Sequence, residues 1–431
     1  RWLNMPAEVK PSYSASFSIV KKNLKENWLF GSGLETFPYV YGKFKSEALN
    51  QTNFWGVNFS SSASDFLSWV VHTGLFGLAA FLGFAVIFIR HALKKIWSKE
   101  GFGIEAGIFA SWIFILAMKL FSNLSLPLEM LFWLLPALFM ALTVEKKWVY
   151  RFESGTWTTL GIICSLITGL LFSLAGIYLS IERWFGERAF AKAITLPYDE
   201  KNRDEIINTT YTSLLNNPYE ARYFRFLAQV ILGKIGDLNS EIQKRPAGER
   251  QPKEEEVALF RNLTARAVTA IERARILDPE NTAVLVEASG IYNSLGALVG
   301  GTDEVVLQLY EKAASLEPIN PFLKTQLAQA YLAKSNLFSA GAKTDKTLVE
   351  KARKILEEAI KLNPNYSNAR FFLGLVYDKE GKKEEALRHL EIVASLNPDN
   401  DTVKQMVNNL RAGRAAASSQ AEITPPEEQE E

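Results

Sequence analysis

Four long apolar stretches divide this chain into two kinds of pattern: Phe66 to Ile89, Ile104 to Phe121, Leu126 to Leu142 and Trp157 to Ile181. Crossing a hydrocarbon core of about 30 Å takes about 20 residues of helix, and each stretch is near that length. Buried helices of a water-soluble domain would show a polar face. "LFGLAAFLGFAVIFI" and "LGIICSLITGLLFSLAGIYL" are apolar on every side, so transmembrane helices are predicted. Upstream, "PSYSASFSIVKKNLKENWLFGSGLETFPYVYGKF" predicts a helix of about 15 residues, a stop at "FGSG", and an extended aromatic run. Downstream, from 182 to 411, apolar positions recur at helical spacing among charged ones. The predicted fold is all-α: four transmembrane helices followed by an α-solenoid.

Charge orients this arrangement. "RHALKKIWSK" after the first stretch carries Arg90, Lys94, Lys95 and Lys99, and "EKKWVYRFE" after the third carries Lys146, Lys147 and Arg151. Both are expected on the cytoplasmic side by the positive-inside rule. The "SNLS" turn at 122 to 125, residues 1 to 65 and the whole C-terminal half are then expected outside. That places the repeats beyond a bacterial cytoplasmic membrane. Trp69, Trp97, Trp112, Trp133, Trp148, Trp157 and Trp184 fall mostly near the ends of the apolar stretches, as interfacial anchors do. The chain opens at Arg1 as though in mid-segment, and at least one further span is expected before it.

A second signature recurs after residue 200: "LLNNP" ending at Pro218, "RILDP" at Pro279, "SLEP" at Pro318, "KLNP" at Pro364 and "SLNP" at Pro398. Pro364 to Pro398 spans 34 residues, and the longer intervals read as that period with insertions at 236 to 256 and 338 to 347. Within the last unit, Gly374 and Tyr377 occupy a first helix, with Ala386, Leu390 and Ala394 on a second. Ala328 with Tyr331, and Ala352 with Ala359, repeat this one unit earlier; Ala267 with Ala274, and Tyr310 with Ala313, echo it. Small residues allow close helix approach, and each Pro ends a helix and redirects the chain. The region resembles the tetratricopeptide repeat family over about 200 residues. The resemblance implies a curved solenoid that binds a protein or cell-envelope partner. "TVKQMVNNLRAG" is expected to be a capping helix, and 412 to 431 a disordered acidic tail.

Composition removes several functions. The chain has 431 residues and a net charge of +1, with no basic field of the kind that attracts nucleic acid. Its single cysteine, Cys164, allows neither an intrachain disulfide nor a thiolate metal site, and the three histidines lack ligand spacing. No cofactor or metal is expected, and His91 and His389 are given no role.

The remaining chemistry lies before and within the first apolar stretch. "LFGSG", the aromatic run, and then "SDFLSWVVHTGLFG" leading into a span together resemble the C-terminal part of the O-antigen ligase and polymerase superfamily, over residues 1 to about 142. That family carries an "R-x-x-x-W" helix, a "PLFG-x-G" turn and an "H-N-x-Y-L-x-x-x-x-E-x-G-x-x-G" approach to the next span. It moves a glycan from a polyprenyl diphosphate to an acceptor. The resemblance implies a cation for the leaving diphosphate and a base for the acceptor hydroxyl. In this sequence the loop Arg falls at Tyr13 and its Trp at Phe17; the His falls at Ala63, the Asn at Ser64 and the Glu at His72. Asp65, Leu67, Gly74 and Gly77 are retained. The scaffold words survive and the catalytic ones do not. An interaction protein on a degenerate ligase-like scaffold is therefore expected, with an active transferase using a polyprenyl-linked glycan as the alternative. The candidate catalytic residues are His72, Asp65, Lys119 and Glu129, expected to gather at one outer pocket. Their plainer roles are an N-cap for Asp65, a structural hydrogen bond for His72, and a snorkelling ammonium for Lys119.

Overall fold

The computed structural model describes residues 10–97, 103–143, 157–246, 249–339 and 341–416. Lys99, Lys146, Lys147 and Arg151, on which the expected orientation partly rests, and Trp148, expected as an interfacial anchor, lie outside them, as does the tail from 417. The described residues are all-α, and the chain forms two compact units, Arg1–Tyr150 and Arg151–Glu431. Among the described residues four helices are long and apolar enough to cross a membrane, but the fourth belongs to the second unit with the repeats.

In the first unit, α1 (Tyr13–Glu26), α2 (Phe37–Phe44) and a 3₁₀ turn (Glu47–Gln51) precede α3 (Asp65–Trp97), α4 (Ile104–Phe121) and α5 (Leu126–Thr143). One core joins Ile19, Val20, Phe37, Val40, Tyr41 and Phe59 to Val70 and Val71 at the start of α3. Another joins Phe81, Phe88 and Ala92 of α3 to Trp112 of α4 and to Phe132 and Phe139 of α5.

The uniform run expected from Phe66 to Ile89 is broken. Gly74 has φ 62° and ψ −158°, outside helical geometry, and it divides α3 into α3a (65–73) and α3b (75–97). In a straight helix Phe66 and Phe81 would stand about 22 Å apart along the axis. Their ring centroids are 5.9 Å apart, so the two arms meet at a sharp bend. His72 therefore lies on a folded-back arm, and the depth of about 10 Å that a straight helix would give it does not apply.

The second unit begins with α6 (Trp157–Thr195), one unbroken helix of 39 residues, about 58 Å long. The boundary expected at 181/182 is absent: the apolar half of α6 continues directly into the half that packs on α7 (Arg203–Asn216). There follow α8 (Ala221–Lys244), α9 (Glu254–Leu277), α10 (Thr282–Val299), α11 (Asp303–Leu316), α12 (Pro321–Lys334), α13 (Lys346–Leu362), α14 (Ser367–Lys379), α15 (Lys383–Leu396) and α16 (Asp401–Arg411). Two expectations are corrected here. Residues 236 to 244 and 254 to 256 are helix, because Ile235 and Ile242 keep one face of α8 buried to its last turn and α9 begins at Glu254. The tail does not loosen at 412: Gly413 turns the chain at φ 71°, and the buried Ala416 donates its N–H to Asp378 Oδ2 at 2.9 Å.

Candidate functional site

The bend at Gly74 explains the two glycine words. Breaking α3 there strands two N–H groups and two carbonyls that an intact helix would pair with one another. The "LFGSG" loop takes up all four. Leu75 N–H donates to Trp28 O and Phe76 N–H to Leu29 O, both at 2.9 Å. Ser32 N–H donates to Val71 O at 2.9 Å and Gly33 N–H to His72 O at 3.0 Å. Asn23 Nδ2 adds a bond to Val71 O at 3.1 Å. Backbone meets backbone so closely that neither glycine has room for a side chain. A Cβ on Gly31 would lie 2.5 Å from Val71 O, and one on Gly74 would lie 2.4 Å from Gly31 N. Both also hold positive φ.

At the other end of α3a the charged candidates meet at the α4–α5 turn. Asp65 is not the N-cap of its helix: Ser64 Oγ accepts the Leu67 N–H at 3.4 Å, while the Asp65 carboxylate accepts the Leu124 N–H at 2.6 Å. The serine one position earlier holds the cap, which leaves the aspartate to pin the turn. Lys119, only 3% exposed, donates to Glu129 at 2.6 Å and lies 4.0 Å from Asp65. Its ammonium faces the Trp69 and Phe132 rings at 5.9 and 5.6 Å. It is held among these groups and does not snorkel. Trp133 Nε1 donates to the second Glu129 oxygen at 3.3 Å. Tyr13 donates its hydroxyl to Phe121 O, and Ala63 N–H donates to Ser16 Oγ at 3.0 Å. Tyr13 and Ala63 therefore lie at this same corner.

Three of the four candidates, Asp65, Lys119 and Glu129, come together. His72 does not: it lies seven residues along at the Gly74 bend, where its Nε2 is buried without a partner. Chemically the corner is a clamp. Its one buried cation is already matched by two carboxylates, and a cation so neutralised offers little field to a leaving diphosphate. Among the described residues no three His, Cys, Asp or Glu side chains group to hold a metal.

The repeat positions build a different kind of surface. Helices pair as α6 with α7, α8 with α9, α10 with α11, α12 with α13 and α14 with α15, and each pair ends on one of the five Pro turns. Ala328, Ala352, Ala359 and Ala386 are fully buried, as are Ala267, Ala274 and Ala313. A Cβ on Gly374 would meet Leu390 Cγ at 2.9 Å, which measures how closely α14 and α15 approach. Val393, not Ala394, fills the next core position of α15. Pro279, Pro318, Pro364 and Pro398 stand exposed at the turns.

Two regularities went unread in the sequence. An Asn three residues after the turn's acidic or amide residue caps the next helix, in "DPEN", "EPIN" and "NPDN". Asn281, Asn320 and Asn400 accept N–H groups of the first turn. In addition, Tyr292, Tyr331 and Tyr377 donate their hydroxyls to Glu272, Glu311 and Glu357, each 20 residues earlier on the preceding helix pair. On the cap, Arg411 takes the tyrosine's place opposite Glu391 at the same spacing. The constant spacing confines length variation to the interior of each pair.

These helix pairs define an α-solenoid, and its last part is named by comparison. Residues 349–410 match the family model described as tetratricopeptide repeat. No curated protein matches the chain. Among solved structures, the chain is similar to TTC0263, a thermophilic TPR protein in Thermus thermophilus, at 16% identity and TM-score 0.34, covering 53% of this chain and 99% of that one. It is also similar to MamA from Desulfovibrio magneticus RS-1, at 14% identity and TM-score 0.34, covering 52% and 97%. A third similarity is to YrrB, a TPR protein with an unusual peptide-binding site, at 14% identity and TM-score 0.32, covering 50% and 95%. The assignment of the repeats rests on the helix pairing and on residues 349–410.

Proposed function

We propose that this chain is an integral protein of a bacterial cytoplasmic membrane whose exported solenoid holds a protein or cell-envelope partner, on a ligase-like scaffold that no longer catalyses transfer. The observation that carries the reading is α6. Residues 159–181 of this helix are mainly apolar and none of them is buried over the length a bilayer would cover, and the same helix then becomes the first helix of the solenoid. A binding surface so joined to its anchor is presented at the membrane. Partner binding itself rests on the tetratricopeptide architecture, since such solenoids offer extended concave surfaces.

Photo-crosslinking in intact membranes tests it. A photoreactive amino acid is placed at Asn293 or Gln329, on first helices of two pairs, and at Lys312 or Lys354 on second helices as controls. One discrete crosslinked species from the first pair of sites, absent at the controls, is expected. Absence of any crosslink at Asn293 and Gln329 in intact membranes that hold the chain would overturn the reading.

The alternative is an active glycan ligase or polymerase, in which the solenoid recruits the acceptor. It draws on the gathering of Tyr13, Ala63, Asp65, Lys119 and Glu129 at one corner. Membranes supplied with a labelled polyprenyl-diphosphate glycan decide between the two. Transfer by the native chain favours the alternative; transfer only by a Tyr13→Arg plus Ala63→His variant, or by neither, favours a scaffold that has lost the reaction.

A further inference from the structure

The loop that remakes the broken bonds of α3 has a second property. Its side chains point away from the unit. Trp28, Phe30 and Leu34 are 58%, 66% and 79% exposed, and Leu75 and Phe76, at the start of α3b, are also exposed. The Phe30 and Phe76 rings pack at 5.7 Å, so loop and helix form one continuous apolar edge. This edge does not stop at Phe76. Leu82 and Val86 follow Leu75 at seven and eleven residues, and Ile87 follows Phe76 at eleven. Those spacings return to the same side of a helix, and all three side chains are exposed. Just before Trp28, Lys21 and Lys25 stand exposed on the last turns of α1.

We infer that residues 28–34, together with Leu75 and Phe76, are a membrane-inserting edge whose occupant is the acyl region of one lipid leaflet. The inference rests on the reading of α3b as a membrane span and adds to it. Leu75 and Phe76 carry the exposed stripe of Leu82, Val86 and Ile87 to the first turn of α3b, and the loop is tied to those two residues by their own backbone N–H groups. The loop therefore moves with the first turn of α3b, and a lipid layer that reaches that turn also meets the loop. Lys21 and Lys25 are placed to meet headgroup phosphates, as in helices that lie at an interface. The stretch before the first span is then no free aqueous loop. It is a lid lying on the bilayer, with its aromatic tip inside.

The test uses the full chain in liposomes, with Cys164 replaced by Ser and single cysteines carrying an environment-sensitive fluorophore. Phe30→Cys and Leu34→Cys report on the edge, Ile87→Cys on the span, and the exposed Glu47→Cys on water. The edge labels are expected to emit to the blue of the Glu47 label and to lose about half or more of their emission to nitroxide-bearing acyl chains, as the Ile87 label does. Leu34 makes none of the bonds that hold the bend, so its variant tests the edge even where Phe30→Cys disturbs the fold. Edge labels quenched from water like Glu47, beside an Ile87 label quenched from lipid, would overturn the inference and leave the span standing. An Ile87 label quenched from water would remove the span reading and the inference together.

Discussion

The two units use small residues for opposite purposes. In the solenoid, Ala and Gly clear space for a neighbouring side chain: Gly374 admits Leu390, and Ala386, Ala352 and Ala328 let helices close on one another. In the first unit, Gly31 and Gly74 clear space for a neighbouring backbone, and the contact is made by hydrogen bonds that a broken helix leaves unpaired. The first arrangement is elastic, because side chains can shift. The second has no slack. This difference gives the two glycine words an architectural role: they hold the bend, whatever the corner nearby does.

The comparison is broken most directly at Gly31. Gly31→Ala places a methyl group 2.5 Å from two backbone atoms at positive φ and is expected to cost about 3 kcal/mol or more, seen as early melting and protease cleavage of the 27–34 loop. Gly83→Ala, with open space around it, is expected to stay within about 1 kcal/mol of the native protein. Equal effects at the two glycines would mean the bend is not held as described.

Removing the cation of the corner comes next. Lys119→Met leaves Asp65 and Glu129 without their counter-charge, at an expected cost of about 2–3 kcal/mol, the lower end for a buried pair because both carboxylates are partly exposed. Thermal unfolding in detergent reads it. In the solenoid, Ala386→Leu overfills the α14–α15 contact and is expected to cost about 2 kcal/mol, confined to the second unit in hydrogen exchange.

Smaller still is the tyrosine ladder. Tyr331→Phe loses one hydrogen bond to Glu311, about 1 kcal/mol, and a double-mutant cycle with Glu311→Gln should show coupling. The more exposed Arg411–Glu391 pair should show about 0.5 kcal/mol or less.

How much of this was legible follows the same division. The solenoid could be read because its rules are side-chain rules: alanines at helical spacing and prolines at helix ends are visible as letters. Even there the Tyr–Glu pairs escaped, since 20 residues is neither a helical spacing nor the repeat period. The first unit was legible only as words. "LFGSG" and "GLFG" could be seen, but that each supplies the other's missing backbone bonds could not, because backbone groups are the same at every position. Asp65 misled for a local reason: an acidic residue at a helix start reads as a cap, and only the structure shows Ser64 in that role. The unbroken α6 was hidden by composition, because a change from apolar to charged residues looks like a domain boundary even where the helix continues.

The mildest prediction is a pH slope. Burial, aided by Arg370 and Arg388, pushes the His389 imidazole down to about 4. The unfolded chain takes up a proton near pH 6.5 and the folded one does not. The stability this group contributes is therefore complete above about pH 6.5 and declines as pH falls toward about 4. Denaturant melts of the solenoid at pH 7 and pH 5 should differ in that direction, and His389→Gln should reduce the difference.

The central claim is that one helix serves both as membrane anchor and as the foundation of the solenoid. Single cysteines from 170 to 192, in a Cys164→Ser chain reconstituted in liposomes, test it through their rates of reaction with a water-soluble maleimide. The account predicts protection through 181 on every side. Beyond that it predicts an unbroken helical period, with Gly186 and Ala193 unreactive where they face the rest of the solenoid and Trp184 reactive. Uniform reactivity across 180 to 188 would place a flexible joint between anchor and solenoid, and ready reaction between 170 and 178 would take α6 out of the membrane. Either result would contradict the account.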